Sequence, residues 1–430
     1  MSPARSLPFF ALSLLAFLAS TPLRAANATG TLVNSATVLP PTGFTDPNPA
    51  NNSATDTDKL APKAALRATK ELQGDLVAGR EATYHITVTN DGERPIGEMQ
   101  MYVDCETFEV FDPAVIAPDG KLVAVFGDTF SGPRVGRGDW RSPVLLVGAG
   151  DAATPIVWEH AGGPDPGYAR QLRSYIHDAP PWRAGGISTV LPSDLLRVDD
   201  MLYLHVIVNR GFPHVIWTEI WSSADSGVTW EHMGEPAKFP ADLYDGHAQL
   251  WSWDYDPVDG WVYVVSTGFQ RDKGVILRRV RPEGIGIADA YQAWGHSGGA
   301  WSWGERATII TPDGETWGEL SFRRLGPRMW VLGGFMSSGY ALGYRTLSTP
   351  ATYLAGIEVQ TPVAGCGWDE ENHVDCRVAQ LYGGYLLPGS RVGAPGGVGL
   401  VVSHWNTRRG WPYRVMQFRT TLRDTTTVML

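Results

Sequence analysis

The feature that most constrains the fold is a pair of short β-strand patterns that recurs five times along the chain. Successive pairs begin roughly 60 to 80 residues apart, and no sustained helical period interrupts them. The first strands are predicted at Leu122–Phe126, Tyr203–Val208, Trp261–Ser266, Met329–Phe335 and Gly399–Trp405, and the second at Val144–Leu146, Val215–Trp221, Val275–Val280, Tyr340–Arg345 and Tyr413–Arg419. The pattern predicts an all-β fold with a five-bladed β-propeller over residues 105–430. A β-sandwich with long loops is the alternative.

An eight-residue motif supports the propeller. Residues 223–230 read SADSGVTW and match the Asp-box pattern Ser-x-Asp-x-Gly-x-Thr-Trp, and residues 312–317 are a weaker echo of it. In such a turn the Ser and Asp side chains bind backbone amides, the Gly is left-handed and the Trp packs into the blade. We therefore expect Asp225 to be structural rather than catalytic.

The charge balance restricts the class of partner. The chain carries a net charge of -10 and has a sequence pI near 5.5, and no dense run of Lys and Arg is present. These features argue against nucleic acid or an anionic membrane surface as a partner. A neutral or cationic ligand suits this composition better.

Residues 1–26 have the organisation of a secretory signal peptide. Arg5 precedes an apolar run from Leu7 to Leu18, and small residues follow at a suitable cleavage position. The run is short for an uncleaved membrane anchor, and no later segment is long enough to span a bilayer. The sequence therefore predicts an exported protein, secreted or at the cell surface.

Residues 27–104 form a separate region, a β-rich spacer that is partly disordered. Thr31–Val38 alternates like a strand, and Tyr84, Ile86 and Val88 have the period of a half-buried strand. Asp46–Asp56 resembles the closing strand of the DUF11 repeats of bacterial surface proteins, and Ala78–Gly92 resembles the opening strands of the next repeat. This resemblance implies an immunoglobulin-like β-sandwich fragment, or a linker.

The stretch Leu122–Leu146 holds the first candidate site residue. Asp128 shares a strand face with apolar residues and follows the strand directly. A carboxylate there either lies in a pocket with a partner or simply ends the strand in a Gly-Asp-Thr turn. Both readings stay open on these residues alone.

Aromatic and histidine residues suggest a carbohydrate ligand without a metal. Several of the seventeen tryptophans stand beside polar residues, as at Trp251–Asp254, Trp301–Glu305 and Trp217–Trp221, a combination that suits sugar stacking but also suits packing within blades. His205, His247, His296 and His404 lie near strand ends but form no metal-binding motif. No cofactor and no metal are predicted.

Cys366 and Cys376 bracket a loop of nine residues. In an exported protein this spacing favours a disulfide, with Cys105 left unpaired. The alternative is a metal site within the loop, which contains Asp369, Glu370, Glu371, His373 and Asp375 but no zinc-finger spacing.

Five motifs in order resemble the DUF4185 family. They are Phe126–Phe130, Trp140–Val144, Gly318–Arg323, Tyr382–Ser390, and Val402–Asn406 with Pro412–Phe418. The resemblance implies a five-bladed propeller with endo-D-arabinanase activity, which cleaves D-arabinofuranosyl links of mycobacterial arabinogalactan and lipoarabinomannan. The expected partner is thus a cell-wall arabinan.

The same resemblance implies roles for individual residues. Asp128 matches one catalytic aspartate of the family. The other lies in a Thr-Asp-Leu-Gly motif that is altered here, so Glu106 is the positional equivalent, with Asp112 or Asp104 as the fallback. The positions expected to contact sugar or to line the channel are Arg141, Glu319, Arg323, Tyr385, Trp405 and Asn406. Arg323 and Glu319 also suit an internal salt bridge.

The altered motif leaves a second function open. A glycoside hydrolase of this type needs two carboxylates that flank the scissile bond. A propeller that had lost one of them would be a non-catalytic carbohydrate-binding or adhesion protein at the cell surface.

Overall fold

The computed structural model describes residues 30–37, 48, 53–60, 66–73, 83–90, 99–100, 107–108, 113–131, 138–173, 187–211, 214–406, 408 and 411–426. The proposed signal peptide lies outside these residues. Among them no helix is long and apolar enough to cross a membrane. The chain forms two compact units, Met1–Ile96 and Gly97–Leu430.

The N-terminal unit contains two antiparallel strand pairs. Strand β1 (Gly30–Thr37) pairs with β2 (Ser53–Leu60), and β3 (Leu66–Gln73) pairs with β4 (Thr83–Asn90). Both strands predicted here are therefore present, at β1 and β4. The DUF11 likeness of this region remains a prediction.

The second unit is a β-propeller of five sheets. Strands β5 (Met99–Gln100) and β6 (Thr107–Phe108) precede the first blade. Blade 1 contains β7 (Ala114–Ile116), β8 (Leu122–Phe126), β11 (Val144–Ala149) and β12 (Val157–Ala161), with β9 (Thr129–Phe130) and β10 (Trp140–Arg141) inserted. Blade 2 contains β13 (Thr189–Val198), β14 (Met201–Asn209), β15 (Val215–Ser223), β16 (Glu231–His232) and β17 (Lys238–Pro240). Blade 3 contains β18 (Leu250–Asp256), β19 (Trp261–Thr267), β20 (Ile276–Val280), β21 (Gln292–Ser297) and β22 (Ala300–Trp303).

The remaining blades complete the ring. Blade 4 contains β23 (Trp317–Gly326), β24 (Met329–Met336), β25 (Ala341–Leu347), β26 (Gln360–Cys366) and β27 (Arg377–Ala379), and blade 5 contains β28 (Gly383–Leu386), β29 (Val398–Asn406), β30 (Trp411–Thr420) and β5. Single 3₁₀ turns lie at Glu235–Ala237, Pro282–Gly284, Ala288–Ala290, Ser337–Gly339 and His373–Asp375. Blade 5 thus joins the start of the propeller unit to its end, because β5 pairs with β30.

Apolar clusters between every pair of neighbouring blades hold the ring together in the described part of the chain, with two of them between blades 2 and 3. The cluster that closes it packs Leu387 and Val401 of the last blade against Phe126 and Leu146 of the first. Burial of apolar area at all five interfaces is the main source of stability for such a ring. The predicted five-bladed propeller is confirmed, and each strand predicted from the repeats overlaps the second or third strand of a blade.

The Asp box folds as expected in the turn after β15. Asp225 Oδ1 accepts a hydrogen bond from Thr229 N (2.8 Å), and Ser223 Oγ accepts one from Gly227 N (2.9 Å). Gly227 has φ 92°, and Trp230 is buried in the interface between blades 1 and 2. Both carboxylate oxygens of Asp225 therefore accept hydrogen bonds within the turn.

Serines connect the innermost strands of successive blades around the central channel. Ser193 Oγ accepts a hydrogen bond from Trp251 N (2.6 Å), and Ser252 Oγ accepts one from Phe322 N (2.7 Å). Ser321 Oγ accepts one from Leu386 N in the next blade (2.9 Å). At three consecutive blade junctions a serine hydroxyl thus accepts a hydrogen bond from a backbone N–H of the next innermost strand. These N–H groups have no partner strand on that side.

A buried ion pair crosses the channel between blades 2 and 4. Arg323 donates to both carboxylate oxygens of Asp194, at 2.6 Å from Nη2 to Oδ1 and 2.7 Å from Nη1 to Oδ2. Ser252 Oγ and Trp253 N also donate to Asp194 Oδ2. Because Asp194 is fully buried, the pair can exist only with these hydrogen bonds in place.

We predict that Asp194→Asn lowers the free energy of unfolding by about 3 to 5 kcal/mol, because it leaves the Arg323 guanidinium buried without its counter-charge. Chemical denaturation followed by tryptophan fluorescence measures this change. Asp165→Asn, which removes one partner of the exposed pair Asp165–Arg170, is the matched control and should change stability little. Equal effects of the two substitutions would contradict this role for the channel pair.

Candidate functional site

One face of the propeller carries Asp128, Glu319 and Asn406 of the residues predicted for the site. Neighbouring strands of a blade are antiparallel, so each innermost strand begins at the face of the propeller where the second strand of its blade ends. We call that face of the propeller the site face. Asp128 lies there directly after β8, Thr189 begins β13, and Asn406 ends β29.

Asp128 is held by two side chains from different blades. Its Oδ1 accepts hydrogen bonds from Trp140 Nε1 (2.8 Å) and from Thr189 Oγ1 (2.7 Å). Its Oδ2 accepts no hydrogen bond from the residues that the structure describes, and the residue is only partly buried. Two donors on one oxygen fix the plane of the carboxylate and leave the other oxygen for a ligand.

A small three-stranded sheet surrounds this carboxylate. Strand β9, which follows Asp128 at once, pairs with β10 on one side and with β6 on the other. The chain at Thr107–Phe108 therefore lies beside the Asp128 turn. Glu106, Asp104 and Asp112, the candidates for the second carboxylate, lie outside the described residues, and so does Cys105.

Glu319 is on the site face but is not open to a ligand. It is 1% exposed and accepts hydrogen bonds at both oxygens from Arg271, including one at 2.9 Å from Nε to Oε2. Arg271 is partly exposed and also lies 5.9 Å from the ring centroids of both Phe335 and Tyr382. The salt-bridge interpretation of Glu319 is the one found, and its partner is the partly exposed Arg271, which no sequence pattern marked.

Arg141, Arg323 and Tyr385, three predicted sugar contacts, are buried. Arg141 Nη1 donates to Ala169 O (2.8 Å), and its guanidinium lies 4.3 Å from the centroid of the Tyr168 ring. Arg323 belongs to the channel pair described above, and Tyr385 is 1% exposed on β28. These three side chains are therefore buried within the propeller and are not exposed at the site face.

Trp405 and Asn406 differ in exposure. The partly exposed Trp405 ring lies 5.3 Å from that of Tyr413, and Tyr413 lies 6.3 Å from Tyr382. These three rings form an aromatic group on blade 5 at the site face. Asn406 is fully buried instead, and its Nδ2 donates to Glu371 Oε2 (2.6 Å).

Glu371 is the centre of a buried polar cluster between blades 4 and 5. His373 Nε2 lies 2.8 Å and His404 Nδ1 lies 3.3 Å from Glu371 Oε1. Burial acts to raise the pKa of Glu371, but the contacts with His404, His373 and Asn406 outweigh it and lower that pKa to about 2. Burial lowers the pKa of His404 below its usual value. These contacts therefore favour the ionised form of the Glu371 carboxyl.

An open groove of about 610 Å³ lies at the outer edge of blades 3 and 4. Trp301 and Tyr353 line it as stacked rings with centroids 5.4 Å apart. His247, His296 and Arg306 also line it, so flat apolar rings and hydrogen-bonding groups occur together. This combination is the one that sugar binding uses.

Most of the other tryptophans predicted to suit sugar stacking lie in the hydrophobic core. Trp251, Trp253 and Trp221 are at most 1% exposed and fill the interfaces between blades. For these residues the packing interpretation is correct, and a sugar platform is excluded because no ring face is exposed.

The predicted disulfide between Cys366 and Cys376 is not formed, and both are free thiols. Strand β26 ends at Cys366 and pairs in parallel with β27, with Ala364 opposite Arg377. Cys376 is consequently displaced from Cys366 by about three residues, or roughly 10 Å along the strands. Disulfides require Cα atoms about 4.4 to 6.8 Å apart.

The far end of the channel holds a second cavity of about 410 Å³. Its lining includes Asp254, the end of β23 and Arg391. Burial raises the pKa of Asp254 to about 6, although the charge of Arg323 and two backbone amides act in the opposite direction. Of the proposed site residues that the structure describes, Arg323 lines this cavity.

Comparisons with known proteins identify relatives for the propeller unit. The family model described as "Domain of unknown function (DUF4185)" matches residues 113–419. An uncharacterized 35.9 kDa protein from Mycolicibacterium smegmatis is 29% identical over 312 residues, which cover 69% of this chain and 88% of that protein.

Solved structures with a related chain path are more distant. A GH43_1 enzyme from Xanthomonas citri in complex with xylose is 11% identical, with a TM-score of 0.46 over 75% of this chain and 89% of that one. The GH43 endo-arabinanase from Bacillus licheniformis is 10% identical, with a TM-score of 0.43 over 74% and 96% of the two chains. A Bacillus subtilis arabinanase is 11% identical, with a TM-score of 0.42 over 73% and 94%.

We predict that the carboxyl of Asp254 makes the fold less stable as the pH rises. Its pKa is raised above 3.8 on folding, so its favourable contribution is complete below about pH 4 and is lost as the pH passes 6. Relative to Asp254→Asn, the wild type should lose roughly 2 to 3 kcal/mol of unfolding free energy between pH 4 and pH 7. Denaturant titrations at both pH values, with the exposed Asp289→Asn as a control, measure it, and a pH-independent difference would contradict it.

Proposed function

The chain belongs to the DUF4185 family, and from this premise we propose that it is a secreted glycoside hydrolase that cleaves internal D-arabinofuranosyl linkages of mycobacterial-type arabinan. Its substrates would be arabinogalactan and lipoarabinomannan. The signal peptide at residues 1–26 would export it to the compartment in which these polymers occur.

The observation that carries the proposal is the state of Asp128. Its carboxylate lies on the site face, is oriented by Trp140 and Thr189 through one oxygen, and is only partly buried. A carboxylate that attacks an anomeric carbon, or that activates water beside it, needs this combination of fixed orientation and an available oxygen.

The second carboxylate is proposed to be Glu106, with Asp112 as the fallback. Strand β6, which begins one residue after Glu106, pairs antiparallel with β9, with Phe108 opposite Thr129 and Thr107 opposite Phe130. The pairing brings this segment to the strand that follows Asp128, and its register places the end of β6, not its start, beside the Asp128 turn. One carboxyl would protonate the leaving oxygen, while the other attacks or activates water.

Sugar binding would use the aromatic residues of the same face. Trp405 and Tyr413 on blade 5, and Trp301 and Tyr353 in the groove, present rings that can stack on furanose units. The exposed Arg271 can donate hydrogen bonds to sugar hydroxyls. An extended binding surface of this kind suits a polymer and an internal cleavage site.

The alternative is a non-catalytic carbohydrate-binding propeller at the cell surface. The observation that favours it is the sequence CETFEVFD at residues 105–112, where the family has a Thr-Asp-Leu-Gly motif. Glu in place of Asp moves the carboxyl by about one methylene, and a displacement on the order of 1 Å can cost a hundredfold in rate.

We predict that the mature protein releases arabinan oligosaccharides from purified arabinogalactan, and that Asp128→Asn abolishes the release while leaving the unfolding transition unchanged. Chromatography of the products measures this. Asp139→Asn, an exposed carboxyl in the same loop, is the matched control and should keep full activity. Glu106→Gln and Asp112→Asn distinguish the candidates for the second carboxyl. Binding of the polymer by the wild type without any release would favour the alternative.

We further predict that Thr189→Val and Trp140→Phe lower kcat by about tenfold to a hundredfold with little change in KM, because each removes one hydrogen bond that orients Asp128. Thr189→Ser retains the hydroxyl and should restore most of the rate. If Thr189→Val instead changed KM alone, Thr189 would be a sugar contact and not a positioning residue.

A further inference from the structure

The strongest unassigned feature is the buried cluster of Glu371, His373 and His404. Glu371 and His373 belong to the loop between β26 and β27 of blade 4, whereas His404 lies on β29 of blade 5. Their side chains are 1%, 8% and 0% exposed. The cluster thus connects a loop to the neighbouring blade through polar atoms in an otherwise apolar interface.

The geometry of the cluster is that of a set of metal ligands. One donor atom from each of the three residues lies within 4.8 Å of the other two. Ligands bound at 2.0 to 2.2 Å in a tetrahedron are about 3.4 Å apart. The distance of 3.3 Å between Glu371 Oε1 and His404 Nδ1 already fits, whereas His373 Nε2, at 2.8 Å from the same oxygen, is closer than two ligands of one ion would be.

His404 provides a second, independent observation. It is fully buried, and neither ring nitrogen makes a hydrogen bond within the part of the chain that the structure describes. Its Nδ1 lies 3.3 Å from Glu371 Oε1, within ion-pair distance. A buried polar atom without a partner costs about 1 to 3 kcal/mol, and a bond from Nδ1 to a metal ion would remove this cost for that nitrogen.

Asn406 orients the carboxylate from outside the ligand set. Its Nδ2 donates to Glu371 Oε2 (2.6 Å), and also to Trp368 O (3.2 Å). This leaves Oε1 directed toward the two imidazoles. Hydrogen bonds of this kind to a ligating carboxylate are a regular part of metal centres.

We propose that Glu371, His373 and His404 form a binding site for a divalent first-row transition ion of the zinc type. Two imidazole nitrogens and one carboxylate oxygen suit such an ion, whereas calcium and magnesium prefer a shell of oxygen atoms. Because the site is buried between blades, the ion fixes the loop of residues 367–376 against β29. The ion would thus hold this loop in place, as the predicted disulfide between Cys366 and Cys376 would have done. The site does not depend on the hydrolase activity proposed above.

The test uses the mature, tag-free protein after treatment with a chelator and measures binding of Zn²⁺ by calorimetry. We expect one equivalent of Zn²⁺ per chain, a rise of several degrees in the unfolding temperature on addition of the metal, and visible absorption bands with Co²⁺ in its place. Glu371→Gln and His404→Ala should each weaken binding by about a hundredfold or more and remove the thermal shift.

Two further variants make the result decisive. Asn406→Ala keeps the three ligands and should retain the stoichiometry with about tenfold weaker binding. His160→Ala removes an exposed imidazole and should leave binding unchanged. The absence of one-to-one binding in the wild type, or equal binding by Glu371→Gln, His404→Ala and the wild type, would overturn the proposal. Preference for Ca²⁺ over Zn²⁺ would overturn the assigned class of ion.

Discussion

The ion pair between Asp194 and Arg323 is the interaction on which the central part of the propeller depends. A ring of five sheets needs its innermost strands to approach closely, and these strands have no ladder partner on their inner side. Their inward side chains must therefore satisfy one another. Asp194 and Arg323 do so across the channel, with Ser252 between them. The interaction costs desolvation, but it fixes which blades face each other.

This constraint reaches the candidate site through the strands themselves. Strand β13 carries Asp194 in the channel and Thr189 at the site face, and strand β23 carries Arg323 in the channel and Glu319 nearer the site face. A shift of β13 would thus move the hydroxyl that holds Asp128. The site is built on strand ends that the channel keeps in place, which is the kind of support that precise positioning of a carboxylate requires.

The sequence predicted the second and third strands of every blade but missed all the innermost ones. Strands such as Leu122–Phe126 are buried on both faces and read as apolar runs. The innermost strands contain Asp194, Asp254 and Arg323, because they line a polar channel, and they lose the apolar pattern. Asp128 could be identified from its motif. Arg271 could not, since its partner Glu319 is 48 residues away along the chain. The predicted disulfide between Cys366 and Cys376 was wrong because the distance between two cysteines along the sequence does not reveal the register of the strands that carry them.

The state of the carboxylates on the site face limits where a second catalytic group can come from. Glu319 has both oxygens occupied by Arg271, and Glu371 has its two oxygens directed to His373 and Asn406. Both are almost completely buried, so neither can reach a polymer outside the fold. Asp128 alone among these three has an oxygen without a hydrogen bond from the described residues. A two-carboxylate mechanism at this face then needs its second group from elsewhere, and β6, whose Phe108 is paired with Thr129, is the strand that the sheet places beside the Asp128 turn. If the chain around β6 supplies that carboxyl, the propeller has the two groups that glycoside hydrolysis requires, and if it does not, the carbohydrate-binding alternative holds.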